Sequence, residues 1–281
     1  MPIELRRSGA PLGHEISGVD IAKGVSDADF AQIENAFNEC GVVVIRDQHL
    51  TPEQHSAFSR RFGELESYPV GKFILPGHSE ILVVSNIIEN GKPIGLVDAG
   101  RTWHSDMSFV VEPPRCSLLY SLEVPQRDGK TIGDTRFVST AAAWDGLPED
   151  MQRRLAGLQA LNSFRTYSGK KTDGREKDGS EMPDVIHPLA RTHPVTGRKC
   201  LYLSESVTVK IGDLDGTETA DLIAQIIRHI TRPEYSYRHN WRVGDLIIWD
   251  NCSSMHKAVF DYALPLRRRM HRTTVKGTRP Y

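Results

Sequence analysis

The chain has 281 residues, 39% of them apolar and 25% charged, and its 35 Lys and Arg nearly balance 36 Asp and Glu for a formal net charge of −1. That composition supplies the core of one large domain spanning 1–281, and the near-neutral charge gives no reason to expect nucleic acid or a membrane surface as a partner. No run approaches the roughly 20 apolar residues of a membrane span, and the first residues lack the apolar core of a signal peptide.

In chain order, Ser26 with Asp29 three residues later opens a first helix as a capping-box-like pair. Phe30, Ile33 and Phe37 form its apolar stripe. Val42 to Ile45 reads as a buried strand. Thr51-Pro52 opens a second helix with proline in its first turn; Phe58 and Phe62 are its core face and Gly63 stops it. Ile81 to Val84 is the one clear strand between positions 66 and 103. Strands follow at Ser117 to Val124 and Asp134 to Val138. A helical pair comes next, with Pro148 at the start of its second member and Leu155 and Leu158 on its buried side. Residues 168–182 are charged, glycine-containing and nearly devoid of apolar side chains, a loop that is either a solvated connection or a lid over an active site. Val195-Thr196-Gly197 reads as a hairpin turn. Leu222, Ile223, Ile226, Ile227 and Ile230 give a helix with a wide apolar face, and short strands run on from there, among them Asp245 to Asp250. Cys40, Cys116, Cys200 and Cys252 are scattered without a CxxC pair, so reduced, buried thiols in a cytoplasmic protein are expected rather than a cysteine metal site. Periodicity alone supports a mixed α and β chain with no internal repeat.

One constellation carries chemistry. In His104-Ser105-Asp106 the two outer residues stand at i and i+2, and in a strand both would point to one face with Ser105 turned away. A third ligand must then come from another strand, and His256, beyond the apolar run ending at Asp250, is the best placed. Two histidines and one carboxylate are the facial triad that holds iron(II) and leaves other coordination positions open. His-x-Asp is a common chance pattern, and the chain has 11 histidines. The surroundings favour the metal reading: Trp103, Phe109 and Pro113-Pro114 enclose the first segment, and a basic strand follows the second. In that strand, from Arg267 to Val275, alternation puts Arg268, Met270 and Arg272 on one face and Arg267, Arg269 and His271 on the other. The second face fits a solvated basic edge strand. The first carries Met270 and points inward, and buried arginines need anionic partners that suit a planar fork. Arg268 and Arg272 are therefore read as facing a cavity that holds acids.

With these motifs the chain resembles the taurine dioxygenase and dichlorophenoxyacetate dioxygenase family of iron(II)- and α-ketoglutarate-dependent oxygenases. The likeness covers nearly the whole chain. Gly41 to Arg46, Phe62 to Glu66, Trp103 to Asp106, Gly133 to Thr135, Arg191 to Pro194, Gly244-Asp245 and Trp249 to Asn251 occur in the family's order. The resemblance implies a mostly β fold with flanking helices around a double-stranded β-helix, or jelly roll, with residues 66–103 forming part of the substrate mouth. It implies that His104, Asp106 and His256 bind Fe(II). Arg268 would grip the distal carboxylate of α-ketoglutarate, with Thr135 donating a hydrogen bond to it. Arg272 would meet an anionic group of the main substrate, and Met107, Ser163, Phe164 and Val207 fall near substrate positions. One departure stands out: the stretch from His256 to the arginine pair is one residue longer than in the taurine enzyme. Counting from His256 selects Arg267, whereas anchoring on Met270-His271-Arg272 selects Arg268, the choice that alternation also makes.

The implied reaction consumes O2 and α-ketoglutarate, releases succinate and CO2, and hydroxylates a small anionic substrate. The carboxylate of Asp106 disfavours halogenation, which needs that position vacant. Gly100 stands near an asparagine of the taurine enzyme, which favours an organic carboxylate over a sulfonate. A homo-oligomer is expected. Two other readings use the same residues: a jelly-roll metalloenzyme of hydrolase or isomerase type, and a non-catalytic ligand binder. A buried arginine for a cosubstrate argues against the first, and the cost of burying His, Asp and His without a metal argues against the second.

Overall fold

The computed structural model describes residues 3–68, 73–97, 100–164 and 182–281. Strands β1 (Glu4–Arg6) and β2 (His14–Ser17) lead into helix α1 (Asp27–Cys40) and β3 (Val42–Ile45). Helix α2 (Pro52–Ser59) precedes β4 (Ile74–Leu75), β5 (His78–Ser85) and a small hairpin, β6 (Ile88–Glu89) with β7 (Lys92–Pro93). Next come β8 (Cys116–Glu123), the hairpin β9 (Gln126–Arg127) with β10 (Lys130–Thr131), and β11 (Thr135–Ser139). Short helices α3 (Thr140–Asp145) and α4 (Glu149–Ala156) are followed by β12 (Gln159–Asn162), β13 (Val185–Pro188), β14 (Ala190–Thr192), β15 (Lys199–Leu201) and β16 (Thr208–Ile211). After helix α5 (Gly216–Ile230) come β17 (Ser236–His239), β18 (Leu246–Asp250), β19 (Ser254–Ala258) and β20 (Arg269–Val275).

Two sheets position the site. The larger runs β1-β2-β3-β18-β8-β20-β5-β4, and a three-stranded sheet runs β17-β11-β19. Both faces of the larger sheet are covered, so its central strands read as unbroken apolar runs instead of alternating ones. Val43, Ile45, Leu118, Leu246 and Ile248 pack outward against Ile33 and Phe37 of α1 and Phe58 of α2. Val42, Val44, Leu119, Ile247, Trp249 and Met270 pack inward with Phe137 of β11 and Trp241. Each such side chain contributes about 1.5–3 kcal/mol by leaving water. The inward layer is the filling of a jelly roll, and the site opens within it. A second core forms where α5 buries Leu222, Ile226 and Ile230 against Leu155, Ala160 and Leu201.

The N-terminal caps sit where the chain predicts them. The Ser26 side chain accepts from the Asp29 amide, and α1 ends at Gly41, whose φ of 72° is left-handed. A Cβ at Gly41 would stand 2.7 Å from Ser253 Oγ, so the turn from α1 into β3 excludes a side chain there. Thr51 and Gln54 form a reciprocal capping box on α2 with Pro52 in the first turn. The Val195-Thr196-Gly197 turn joins β14 to β15, which pair antiparallel.

Three sequence expectations are corrected. His104 to Asp106 is not a strand: His104 makes one isolated bridge and Asp106 begins a turn. The basic strand is not at an edge, because β20 lies between β8 and β5. Its outward face is covered by α2, so His271 is buried and Arg269 half-buried, and only Arg267, before the strand, is exposed. Leu158 falls beyond α4 and is half-buried. Of the loop read at 168–182, all but the last residue lies outside the described residues. The four cysteines are free and buried.

Candidate active site

His256 lies in the middle of β19, paired across the sheet with Phe137. His104 extends that sheet through a two-way backbone bridge, its amide donating to the His256 carbonyl at 3.2 Å and its carbonyl accepting from the His256 amide at 2.9 Å. Residues directly opposite in an antiparallel pair present their side chains on the same face. The two imidazoles are thereby set side by side, with ring centroids 4.2 Å apart. Asp106 reaches the same point from the turn that follows, where Met107 takes a left-handed φ of 49°. Such a backbone is uncommon for a residue with a side chain and clusters at functional sites.

The Nε2 atoms of His104 and His256 each stand 3.9 Å from Asp106 Oδ1. One donor atom from each residue falls within 4.8 Å of the other two, so the three could hold one metal ion. Their protonation suits that task. The Nδ1 of His104 faces the Thr102 carbonyl at 2.9 Å; a carbonyl only accepts, so Nδ1 carries the proton and Nε2 the lone pair. Burial, aided by the neighbouring His104 ring and by Arg272 against the pull of Asp106, pushes His256 down to about 3, which keeps it neutral and able to ligate. Burial would raise the Asp106 carboxyl, but the Arg272 charge, the two facing imidazoles and the Ser117 hydroxyl outweigh it and hold it below the usual carboxylate range. Arg272 Nη1 lies 3.2 Å from Asp106 Oδ1.

His104 and His256 border a cavity between the two sheets. Val84, Leu119, Phe137 and Trp249 form apolar walls, and Thr135, Arg268 and Arg272 supply its polar groups. Arg268 is buried and its Nε has no hydrogen-bond partner. Its guanidinium lies 5.8 Å from the Trp241 ring and 6.0 Å from Tyr262. Burial lowers its proton affinity, against the pull of Tyr262. Its backbone is clamped to the end of β5: the amide donates to Asn86 Oδ1 at 2.8 Å and the carbonyl accepts from Ser85 Oγ at 2.8 Å. Arg267 points the other way and meets Glu123 in a two-pronged pair at 2.8 and 3.2 Å on the surface. Arg268 thus lines the cavity and Arg267 does not. Thr135 Oγ1 accepts from the Trp241 indole at 3.0 Å. An indole N–H can only donate, so the threonine keeps its own proton to donate elsewhere.

The remaining sequence-selected residues lie towards the 163–164 side. Met107 accepts from the Tyr68 hydroxyl at 3.7 Å. The Phe164 ring is 4.8 Å from Phe109. The Ser163 amide donates to the Val207 carbonyl at 2.9 Å, and both residues are buried. None of these four borders the cavity, whereas Gly100 does. Sequence reasoning overlooked Trp241, Tyr262 and Asn86 around Arg268, and Ser117 and Asn251 around Asp106. A serine on the inward face of an otherwise apolar strand was the available signal for Ser117.

A largely buried His-Asp-His cluster beside a cavity lined by two arginines inside a jelly roll matches the metal-dependent oxygenases of the facial-triad class. Residues 4–274 match the family model for the "Taurine catabolism dioxygenase TauD, TfdA family". The α-ketoglutarate-dependent 2,4-dichlorophenoxyacetate dioxygenase of Cupriavidus pinatubonensis is 35% identical over 274 residues, 92% of this chain and 92% of that one. Pentalenolactone F synthase of Streptomyces arenae is 33% identical over 283 residues, 95% of this chain and 92% of that one. The crystal structure of AAD-2 in complex with Mn(II) and N-oxalylglycine superposes with a TM-score of 0.82 at 31% identity, covering 100% of this chain and 99% of that one. The chain belongs to the TauD/TfdA family and is an Fe(II)- and α-ketoglutarate-dependent dioxygenase. Of the readings drawn from the sequence, this favours the oxygenase over a hydrolase, an isomerase or a passive binder. Among the described residues no helix is long and apolar enough to cross a membrane.

Proposed function

We propose that the chain hydroxylates a small organic carboxylate, with His104, Asp106 and His256 holding iron, Arg268 and Thr135 holding α-ketoglutarate, and Arg272 meeting the substrate's anionic group. The observation that carries this reading is the buried Arg268, whose Nε is unpartnered at the wall of the cavity that His104 and His256 border. A buried guanidinium without a carboxylate is costly, and the distal carboxylate of α-ketoglutarate would supply the partner. The residues fit the iron as well, since two imidazoles and one carboxylate each bring a ligand atom to one point.

When bound, iron(II), α-ketoglutarate and oxygen supply the oxidation that yields succinate, CO2 and a hydroxylated product. The chain's own part is binding, orientation and exclusion of water. The Thr102 carbonyl selects the His104 tautomer. Thr135, whose oxygen already accepts from the Trp241 indole, turns its proton to the far carboxylate of the cosubstrate. Val84, Leu119, Phe137 and Trp249 keep water from the reacting centre. Met107, Ser163, Phe164 and Val207 stand outside the cavity and take no direct part in this reading, whereas Gly100, without a side chain, leaves room for a carboxylate where a larger residue would crowd His104 Cε1 at 3.2 Å. Four buried free thiols suit the cytoplasm, and assembly into a homo-oligomer is tested by light scattering on the purified protein.

The test is succinate release, in the presence of Fe(II), α-ketoglutarate and oxygen, from matched aliphatic and aromatic carboxylates, sulfonates and sulfate esters. Carboxylates should give the highest kcat/KM, and Arg272→Met should raise KM for them. A clear preference for sulfonates or sulfate esters would overturn the substrate class. Retained turnover in Asp106→Ala would overturn the metal site.

A further inference from the structure

Asp106 has two carboxylate oxygens, and the structure treats them differently. Oδ1 faces both imidazole Nε2 atoms at 3.9 Å and accepts from Arg272 Nη1 at 3.2 Å. Oδ2 accepts a hydrogen bond from Ser117 Oγ at 2.7 Å. Ser117 sits fully buried in β8, on the inward face beside Leu119. Its hydroxyl has a single proton, and what decides where that proton points is Asn251. The Asn251 Nδ2 donates to Ser117 Oγ at 3.3 Å. Its Oδ1 accepts from the Asp106 amide at 3.2 Å and from the Trp249 indole at 3.1 Å. A backbone amide and an indole can only donate, so the side-chain amide has one allowed orientation, with Nδ2 towards Ser117. The chain of bonds therefore has one direction: Asn251 Nδ2–H to Ser117 Oγ, and Ser117 O–H to Asp106 Oδ2.

We propose that Ser117, oriented by Asn251, is a positioning residue that occupies Asp106 Oδ2 and restricts this carboxylate to one-oxygen ligation of the metal. The chemistry needs that restriction. A keto acid chelates through two atoms and oxygen requires another position, so three ligands from the protein are the most a six-coordinate metal can accept. A carboxylate free to swing both oxygens onto the metal would take a fourth position and compete with the cosubstrate. Ser117 and Asn251 reach Asp106 from β8 and from the end of β18, two elements of the larger sheet, while the histidines belong to the smaller one. The relay thus ties the metal carboxylate of one sheet's side to the rigid core of the other. The inference rests on the reading of His104, Asp106 and His256 as metal ligands.

The experiment compares wild type, Ser117→Ala, Ser117→Thr, Asn251→Asp and Asp106→Ala. Mn(II) affinity is measured by calorimetry. The charge-transfer band of the Fe(II)–α-ketoglutarate complex is titrated without oxygen. Ser117→Ala should lose about 10- to 100-fold in metal affinity, the range for removal of such a supporting contact. It should also need more α-ketoglutarate to develop the band, with the band shifted. Ser117→Thr keeps the hydroxyl and should restore both. Asn251→Asp is nearly isosteric but replaces the donor to Ser117 with an acceptor, which turns the serine proton away from Asp106; it should reproduce the Ser117→Ala result. This variant also decides the matter if Ser117→Ala fails to fold. Wild-type affinity and an unshifted band in both variants would overturn the proposal. If wild type itself binds Mn(II) no better than Asp106→Ala, the ligand assignment fails instead, which is a separate outcome.

Discussion

Replacing Arg268 with methionine separates the cosubstrate reading from any effect on folding. The guanidinium is buried, its Nε lacks a partner, and its neighbours on the cavity side are the Trp241 and Tyr262 rings. In the complex it would meet a carboxylate with water excluded. Removing one partner of such a buried pair costs about 3–5 kcal/mol, which at about 1.4 kcal/mol per decade weakens α-ketoglutarate binding by roughly two to four orders of magnitude. The free protein should respond in the opposite sense. An unbranched apolar side chain of similar length relieves the burial of an uncompensated charge, so the melting temperature should stay level or rise. Arg267→Met is the control: its pair with Glu123 is solvent-exposed and contributes little, and cosubstrate affinity should not change. The assay is an oxygen-free titration of α-ketoglutarate into the Fe(II)-loaded protein, followed by its visible band and by calorimetry. Unchanged affinity in Arg268→Met would refute the reasoning, as would a loss that appears in Arg267→Met instead.

Thr135→Val removes the hydroxyl that Trp241 leaves free to donate, and one hydrogen bond to a charged group is worth about 1.5–3 kcal/mol; KM for α-ketoglutarate should rise roughly 10- to 150-fold, read from succinate release. The packing of α2 on the larger sheet buries two more histidines. Burial pushes His55 down to about 3, and burial with the Arg269 and His78 charges pushes His271 down to about 4. Both folded values lie below the unfolded value of about 6.5, so the unfolded chain binds more protons below that pH. Stability should be unaffected by these groups above pH 6.5 and should fall by about 1.4 kcal/mol per proton per pH unit from 6.5 down towards 4. Denaturant midpoints from pH 7.5 to 5 would check it. His271→Asn should remove about one proton from that slope, and an identical slope in the variant would count against the burial argument.

The sequence by itself determined the local events. Ser26, Gly41, Thr51 and Pro52 begin and end helices through bonds within a few residues, so their chemistry is visible in the chain. The apolar run at β18 announced burial because both of its faces are covered. The identity of the ligand set was also legible, because a facial triad draws on only a few residue types, and the motif order pointed to the family. Alternation found Arg268 and Arg272 because inward residues in a strand repeat every two positions.

Tertiary structure decided what depends on partners far along the chain. Whether β20 lies at an edge or in the middle of a sheet turns on pairing with β5 and β8, some 150 to 190 residues away, and strand periodicity carries no record of it. His104 and Asp106 reach one point by a bridge and a turn, since the bridge to His256 ends at His104 and frees the next residues to bend. The supporting groups, Trp241 behind Thr135 and the Ser117–Asn251 relay behind Asp106, are ordinary polar residues in the sequence. They acquire a function only where two sheets close over a buried carboxylate and each donor must find an acceptor.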